Sequence, residues 1–469
     1  MANLNPNPDG DRGDDFASLR SRLHRAIPGG AHTYSRGDDQ FPAIAPPLFV
    51  RGKGAYAWDS AGNRFLDYGM ALRAVTLGYA DARVNAAAAA EMEKGVNLTR
   101  ATLTELEAAE TLIDLIPSVE MVKFAKNGSN VTTAAIKIAR AFTGRRYVCV
   151  PRQQPFFSFD DWFIGTTALK RGIPADQTSA TLIFDYNDID SLKALFESHH
   201  GEIAAVMLEP ATTLKPCPAA CVRAAGWPDS GACADCTCNA QNFLQQVQAL
   251  CRRDGALFVL DEMITAFRWH LQGAQTFFGV QPDLSTFGKG MANGYAVAAV
   301  GGRREVMEVG AIDRPGMERT FLLSTTHGAE MIGLGAFMQT VRIYREEDVT
   351  GHLWRYGRQL RDGLSAVAAR HGLSEHFHTD GPAISLNYVT RDKDGAVSLP
   401  MRTLFAQELI KRGVMMPWVA ISQSHGAAEL AQTLDAVDSA LDVYAQALDG
   451  GAERFLQGPA IRPVFRSRN

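Results

Sequence analysis

The sequence predicts an α/β fold. A large domain would hold a mostly parallel sheet flanked by helices. A smaller α+β domain would be assembled from the N- and C-terminal segments. Three observations carry this. Short apolar runs alternate with helical segments through the middle of the chain, the pattern of a parallel sheet with crossover helices. Several of those runs, such as "AAVMLEP" and "GALFVLDEM", show no polar alternation, as expected of strands buried on both faces. Beyond about residue 330 the pattern changes to helices followed by a few strands, which suggests a separate unit.

In chain order, residues 1–20 are polar and acidic and read as a disordered tail. Residues 21–84 are assigned to the N-terminal part of the small domain, and "LFVRGKGAYAWDSAGNRFLDY" reads as a hairpin around the turn "DSAGN". Residues 85–330 are assigned to the large domain. There "EMVKFAKNG" is a strand ending in a glycine turn, and "NVTTAAIKIARAFTG" is a helix. Ser129 or Asn130 is its N-cap candidate, and Gly144 its stop. "RRYVCVP", "ATLIFDY", "AAVMLEP" and "GALFVLDEM" are the next strands, and "AQNFLQQVQALCRRD" is a helix between two of them. Residues 331–469 form the rest of the small domain, with a meander near "AISLNYVT" and "VMMPWVA" and a last helix, "AAELAQTLDAVDSALDVYAQALDG".

Composition narrows the function. The 469 residues are 46% hydrophobic and 21% charged, as in an ordinary globular chain. A net charge of −4 and a pI near 6.3 argue against a nucleic-acid binder. No apolar stretch reaches the roughly 18 residues of a membrane span. The N-terminus lacks the apolar core of a secretory signal and is too acidic for a transit peptide, so the expected location is the cytoplasm.

In an open α/β sheet, ligands bind at the carboxyl ends of the strands. Asn127 to Ser129, Phe156, Glu209, Asp261 and Lys289 are placed there. Three of these positions suggest one cofactor. Gly128 and Ser129, between a strand and a helix, form an anion site of backbone N–H groups. Asp261 puts a carboxylate at the end of an apolar strand, where it needs a partner. Lys289, in "DLSTFGKG", is a lone amine between two glycines in an apolar loop. Burial would lower its pKa and make it a nucleophile toward carbonyls. A phosphate, a basic ring nitrogen and an aldehyde answer these three groups, and pyridoxal 5′-phosphate carries all of them.

The stretch "LDEMITAFRW…PDLSTFGKGMANGYAVAAVGGRREVME" resembles the signature of class III pyridoxal-phosphate aminotransferases, within them the glutamate-1-semialdehyde aminomutase branch. The resemblance runs from "IPGGAHTYSRG" to the last helix. It implies a fold type I enzyme, a homodimer with active sites at the subunit interface. It also implies an amino-acid donor and a ketone or aldehyde acceptor. The alternative of the same cofactor class is an aminomutase or a racemase. By resemblance, Lys289 is the lysine that holds the cofactor and Asp261 the partner of its pyridine nitrogen. Met263 packs on one ring face, and Asn127, Gly128 and Ser129 form the phosphate turn. Thr325, in "STTHG", reaches the neighbouring subunit's phosphate. Arg36, in "HTYSRG", falls at the substrate-carboxylate position. The run "PFFSFDDWFIG" departs from the family's tyrosine–histidine–glycine: Phe156 can stack on the ring without a hydroxyl, and Phe157 replaces the histidine. The variant motifs are similar to a subgroup associated with sugar or specialised-metabolite pathways.

Five of the seven cysteines crowd into residues 217–238, inside a predicted insert at 215–240. Cys217, Cys221, Cys233, Cys236 and Cys238 have the spacing C-x3-C-x11-C-x2-C-x-C. Two close groups separated by a loop suggest a structural zinc site, and thiolates also suit an iron–sulfur cluster.

Overall fold

The computed structural model describes residues 15–216 and 241–468. Its centre is a seven-stranded sheet. In chain order its strands are β4 (Met121–Ala125), β5 (Tyr147–Pro151), β6 (Thr181–Phe184), β7 (Ile203–Leu208), β8 (Leu257–Asp261), β9 (Leu284–Phe287) and β10 (Ala298–Gly302). The spatial order is β4-β10-β9-β8-β7-β5-β6. Pairing is parallel from β9 through β6, and only β10 runs against its two neighbours. Every residue of β7 and β8 is buried, which explains their unbroken apolar runs. β9 ends two residues before Lys289, which the sequence places at a strand end, whereas the Ala and Gly content of β10 does not announce a strand.

Helices cover both faces. The helix Gly128–Thr143 is capped by the Asn127 side chain, which accepts from the Asn130 N–H at 3.0 Å, and it ends at Gly144 with φ 68°. The cap is therefore Asn127, not Ser129 or Asn130. Its oxygen lies one turn before the N–H it satisfies, and that leaves the Ser129 hydroxyl free for another role. The helix Phe243–Asp254 opens with a reciprocal Asn242–Gln245 capping box and stops at Gly255, φ 68°. The helix Met331–Glu346 lies on Ala82–Met92. A side chain at Gly335 would meet Glu91 at 2.5 Å, so glycine sets that approach.

The N-terminal segment forms three strands rather than a single hairpin: β1 (Phe49–Lys53), β2 (Tyr56–Asp59) and β3 (Arg64–Asp67). The turn between the last two is held by Asp59, which accepts from Ala61 N, Asn63 N and Asn63 Nδ2 at 2.8–2.9 Å. A strand from the C-terminal segment, β13 (Val414–Met415), pairs in parallel with β3 and completes this sheet. The predicted C-terminal meander is thus divided between two sheets. β12 (Asn387–Thr390) pairs instead with β11 (Phe377–Asp380). The long helices Val349–Arg370 and Ala427–Gly450 pack together beside them. No helix among the described residues is long and apolar enough to cross a membrane.

Candidate active site

The carboxyl ends of three adjacent parallel strands converge. Glu209 follows β7, Asp261 ends β8, and Lys289 stands two residues past β9. Glu209 and Asp261 are buried. Asp261 Oδ1 accepts from the Met263 N–H at 2.9 Å and from Thr286 Oγ1 at 3.0 Å. Its other oxygen has no donor from the described residues. Burial raises the Asp261 pKa, with the two donors and Lys289 opposing. A cationic N–H is the partner that would hold this carboxylate ionised.

Lys289 adopts φ 44°, an unusual backbone for a lysine. Enclosure by protein pulls its pKa down. Glu209 and Asp261 push it back up, and Arg73 and Arg268 add to the depression. Some of its surface remains open, so the amine is desolvated yet reachable. The flanking glycines have specific neighbours. A side chain at Gly288 would run into the Met263 sulfur, and one at Gly290 would lie 2.7 Å from Thr76 Oγ1. The bare backbone around Lys289 therefore admits protein groups on both sides. Met263 also lies against Gly128, where a Cβ would meet its Cε at 3.1 Å. The thioether bridges the phosphate turn and the lysine loop, as a floor for a flat ring would.

The predicted phosphate turn has free donors. With Asn127 satisfying Asn130, the N–H groups of Gly128 and Ser129 donate to no acceptor among the described residues. Ser129 is buried, and its oxygen accepts from the Phe159 N–H at 3.0 Å, which leaves its O–H to donate. Thr132 Oγ1 donates to the Phe157 carbonyl at 2.9 Å, tying the helix to the "FFSF" loop. In that loop Phe157 is buried, and Phe156 is 48% exposed with only an edge contact to Phe163. Phe156 is available for stacking, as is the exposed Phe159 of the same loop.

The other expected residues lie farther out. Thr325 is exposed, on a loop fastened to Asn97 through the Thr326 carbonyl at 2.9 Å. Arg36 is exposed, and its charge acts on Tyr79. Cys217, Cys221, Cys233, Cys236 and Cys238 lie outside the described residues; the two described cysteines, Cys149 and Cys251, are buried thiols. A cavity of about 340 Å³ between Arg20, Asp38, Phe41 and the segment 459–462 shares no residue with the strand-end cluster. Its lining holds Asp38, Asp39, Arg20 and Arg462 but no lysine amine, so the strand ends are the better site.

Two cations enter the cluster without having been singled out in the sequence. Arg268 is buried and donates to Thr76 Oγ1 at 3.2 Å and to the Ile421 carbonyl at 2.8 Å; burial takes its pKa down to about 10. Arg73 lies on the segment before Thr76, and Glu209 is the acid whose field reaches it. Glu209 itself is pushed well up by burial and by Asp261, against the pull of Lys289 and Arg73.

The family model described as Aminotransferase class-III matches residues 34–213 and 233–424. The chain belongs to the class-III aminotransferases. The match breaks off across residues 214–232, where Cys217 and Cys221 lie. The chain is 31% identical over 440 residues to a glutamate-1-semialdehyde 2,1-aminomutase of Alkaliphilus oremlandii, covering 90% of this chain and 97% of that protein. It is 30% identical over 429 residues to a 3-aminobutyryl-CoA aminotransferase of Cloacimonas acidaminovorans, with coverage of 90% and 96%. Among solved structures, the PLP internal aldimine form of the Sphingopyxis sp. MTA144 FumI protein matches with a TM-score of 0.80 at 28% identity, over 93% of this chain and 98% of that one. The class-III aminotransferase is thus a pyridoxal-phosphate enzyme, and the free donors and acceptor described above suit that cofactor.

Proposed function

We propose that the chain moves an amino group from an amino acid to a ketone or aldehyde, with Lys289, Asp261 and the Gly128–Ser129 turn as its working groups. The observation that carries this is the convergence of Glu209, Asp261 and Lys289 at three neighbouring strand ends. Pyridoxal phosphate, when bound, supplies an aldehyde that takes up the amino group and a ring that accepts electrons from the carbon beside it. The residues do the rest. The N–H groups of Gly128 and Ser129 and the Ser129 O–H hold the phosphate at a helix N-terminus. The free oxygen of Asp261 accepts the ring N–H, while Met263 N and Thr286 Oγ1 fix the carboxylate's orientation. Met263 and Phe156 would flank the ring. Lys289 Nζ, whose pKa is lowered by enclosure, takes the proton from the carbon bearing the amino group and returns it.

The names of the relatives divide between an aminotransferase and an aminomutase, and the difference lies in whether a second substrate is needed. Pathway assignment to sugar or specialised-metabolite synthesis rests on motif resemblance. The test is a half-reaction. Amino donors are offered singly to the cofactor-loaded protein, the colour change to the amine form is followed, and acceptors are then identified by mass. Borohydride should trap the cofactor on Lys289 in the native protein and leave Lys289→Ala unlabelled. Trapping on another lysine would reject the assignment, and turnover without any second substrate would favour the aminomutase.

We also infer, from spacing alone, a structural zinc held by four of the five cysteines at 217–238, with an iron–sulfur cluster as the alternative. Elemental analysis should find about one metal per chain. Fully titratable native thiols without metal would reject it.

A further inference from the structure

The residues Met70 to Arg73 are all in the left-handed region, with φ of 38°, 46°, 62° and 69°. None is glycine, and long side chains there are strained. Such a run persists only when its surroundings over-determine it. Here they do. Ala71 N–H donates to Tyr79 Oη at 3.1 Å, and that hydroxyl donates to Asp67 Oδ2 at 2.6 Å. Asp67 Oδ1 accepts from Gly69 N at 2.6 Å, and Trp418 Nε1 donates to the Gly69 carbonyl at 3.0 Å. The turn packs against the segment Lys289–Ala292. Asn293 Oδ1 then pins the chain just beyond the turn, accepting from Thr76 N and Leu77 N at 3.0 and 2.9 Å.

The product of this bracing is the position of Arg73. Its guanidinium makes no hydrogen bond and no ion pair among the described residues. Glu209 is within electrostatic reach but not in contact, and enclosure lowers the Arg73 pKa despite it. Arg268, its neighbour, by contrast donates to Thr76 Oγ1 and to the Ile421 carbonyl. An enclosed, unpaired cation is costly, and it retains accessible surface for a partner. A second guanidinium unpaired among the described residues, Arg36, is near enough for its charge to act on the Tyr79 hydroxyl.

We propose that Arg73 is a specificity-determining residue that takes a carboxylate of the substrate, and that the preferred donor or acceptor carries two acidic groups, one for Arg73 and one for Arg36. This deepens the aminotransferase reading and rests on it. A guanidinium fork matches a carboxylate in two parallel hydrogen bonds. The strain of the turn is then the cost of carrying that fork to the side of Lys289.

The experiment measures binding, so it does not depend on turnover. Glutarate and butyrate, which differ by one carboxylate, are titrated by calorimetry into the cofactor-loaded protein and into Arg73→Gln. Wild type should bind glutarate about 10- to 100-fold more tightly, the scale of a charged hydrogen-bonded pair, and Arg73→Gln should lose that preference. Arg73→Gly serves as the second variant. It removes the strain at φ 69°, so it should melt no lower than wild type while also losing the preference. Three results would overturn the proposal. These are a wild type that does not distinguish the two acids, an Arg73→Gln that keeps the distinction, and an Arg73→Gln that instead loses the cofactor, which would assign Arg73 to the cofactor's phosphate. A failed half-reaction screen with the glutarate preference intact would reject the aminotransferase reading and leave the acid site standing.

Discussion

Asp261 was legible in the sequence because a carboxylate at the end of "GALFVLD" demands a partner. What the sequence did not show is that one oxygen is already taken. Met263 N and Thr286 Oγ1 both bind Oδ1. Asp261→Asn can keep both contacts through its own carbonyl oxygen, so the fold should survive. The amide nitrogen, however, puts a donor where the ring N–H needs an acceptor. We expect kcat to fall by about 100-fold or more, the scale of one lost electrostatic partner in an active site, with an unchanged melting temperature. Near wild-type turnover would show that the carboxylate is not the ring's partner. Arg73 and Arg268 show the opposite case. No motif in "MALRAV" or "AFRW" singles out either arginine. Only the tertiary structure reveals that both arginines point inward, since no local pattern separates a left-handed turn of four L-residues from a helical one. The positive φ values were the signal, and they are invisible before the backbone is known.

Element by element, strands and helices with strong periodicity were readable, and those whose identity depends on partners were not. β7 and β8 announce themselves by composition. β13 is two residues long, and only its pairing with β3 makes it a strand. Packing at close approaches was equally hidden. Gly357 lies mid-way along Val349–Arg370, where alanine ordinarily favours a helix by about 1 kcal/mol. At this site a Cβ would overlap the Ala383 carbonyl, a backbone atom that cannot rotate away. The clash should win. Gly357→Ala is expected to destabilise the protein by about 1–3 kcal/mol net, as overpacking does, read as a lower urea midpoint with an unchanged slope. A midpoint at or above that of wild type would mean that the segment 383–385 yields freely. The segment leads into β12 through Leu386 and Asn387, and β12 pairs with β11, so little freedom is available.

For the molecule as a whole, the sequence resemblance placed active sites at an interface between two copies, and the surface of the chain supports that as a proposal. Thr325 is exposed on a loop that also exposes Phe321 at 75%. The Asn97–Thr326 bond fastens this loop beside Leu98, and Leu98, Leu103 and Leu106 are each more than half exposed. Several large apolar side chains exposed on neighbouring segments are the kind of surface a partner covers. A second copy would cover them and bring Thr325 to the neighbouring phosphate turn. The consequence is a complementation that a monomeric enzyme cannot show. Lys289→Ala removes the amine from its own site but still offers Thr325 to its partner. Thr325→Glu keeps the amine but presents a carboxylate to the partner's phosphate. Each protein alone should be inactive. Mixed and exchanged at random, half of the dimers are hybrids, and in each hybrid one of two sites has both residues intact, so about a quarter of the wild-type rate should return. Light scattering should give twice the chain mass for all three proteins. A fully active monomer, or dimers that mix without recovering activity, would confine Thr325 to its own chain and remove the interface from the active site.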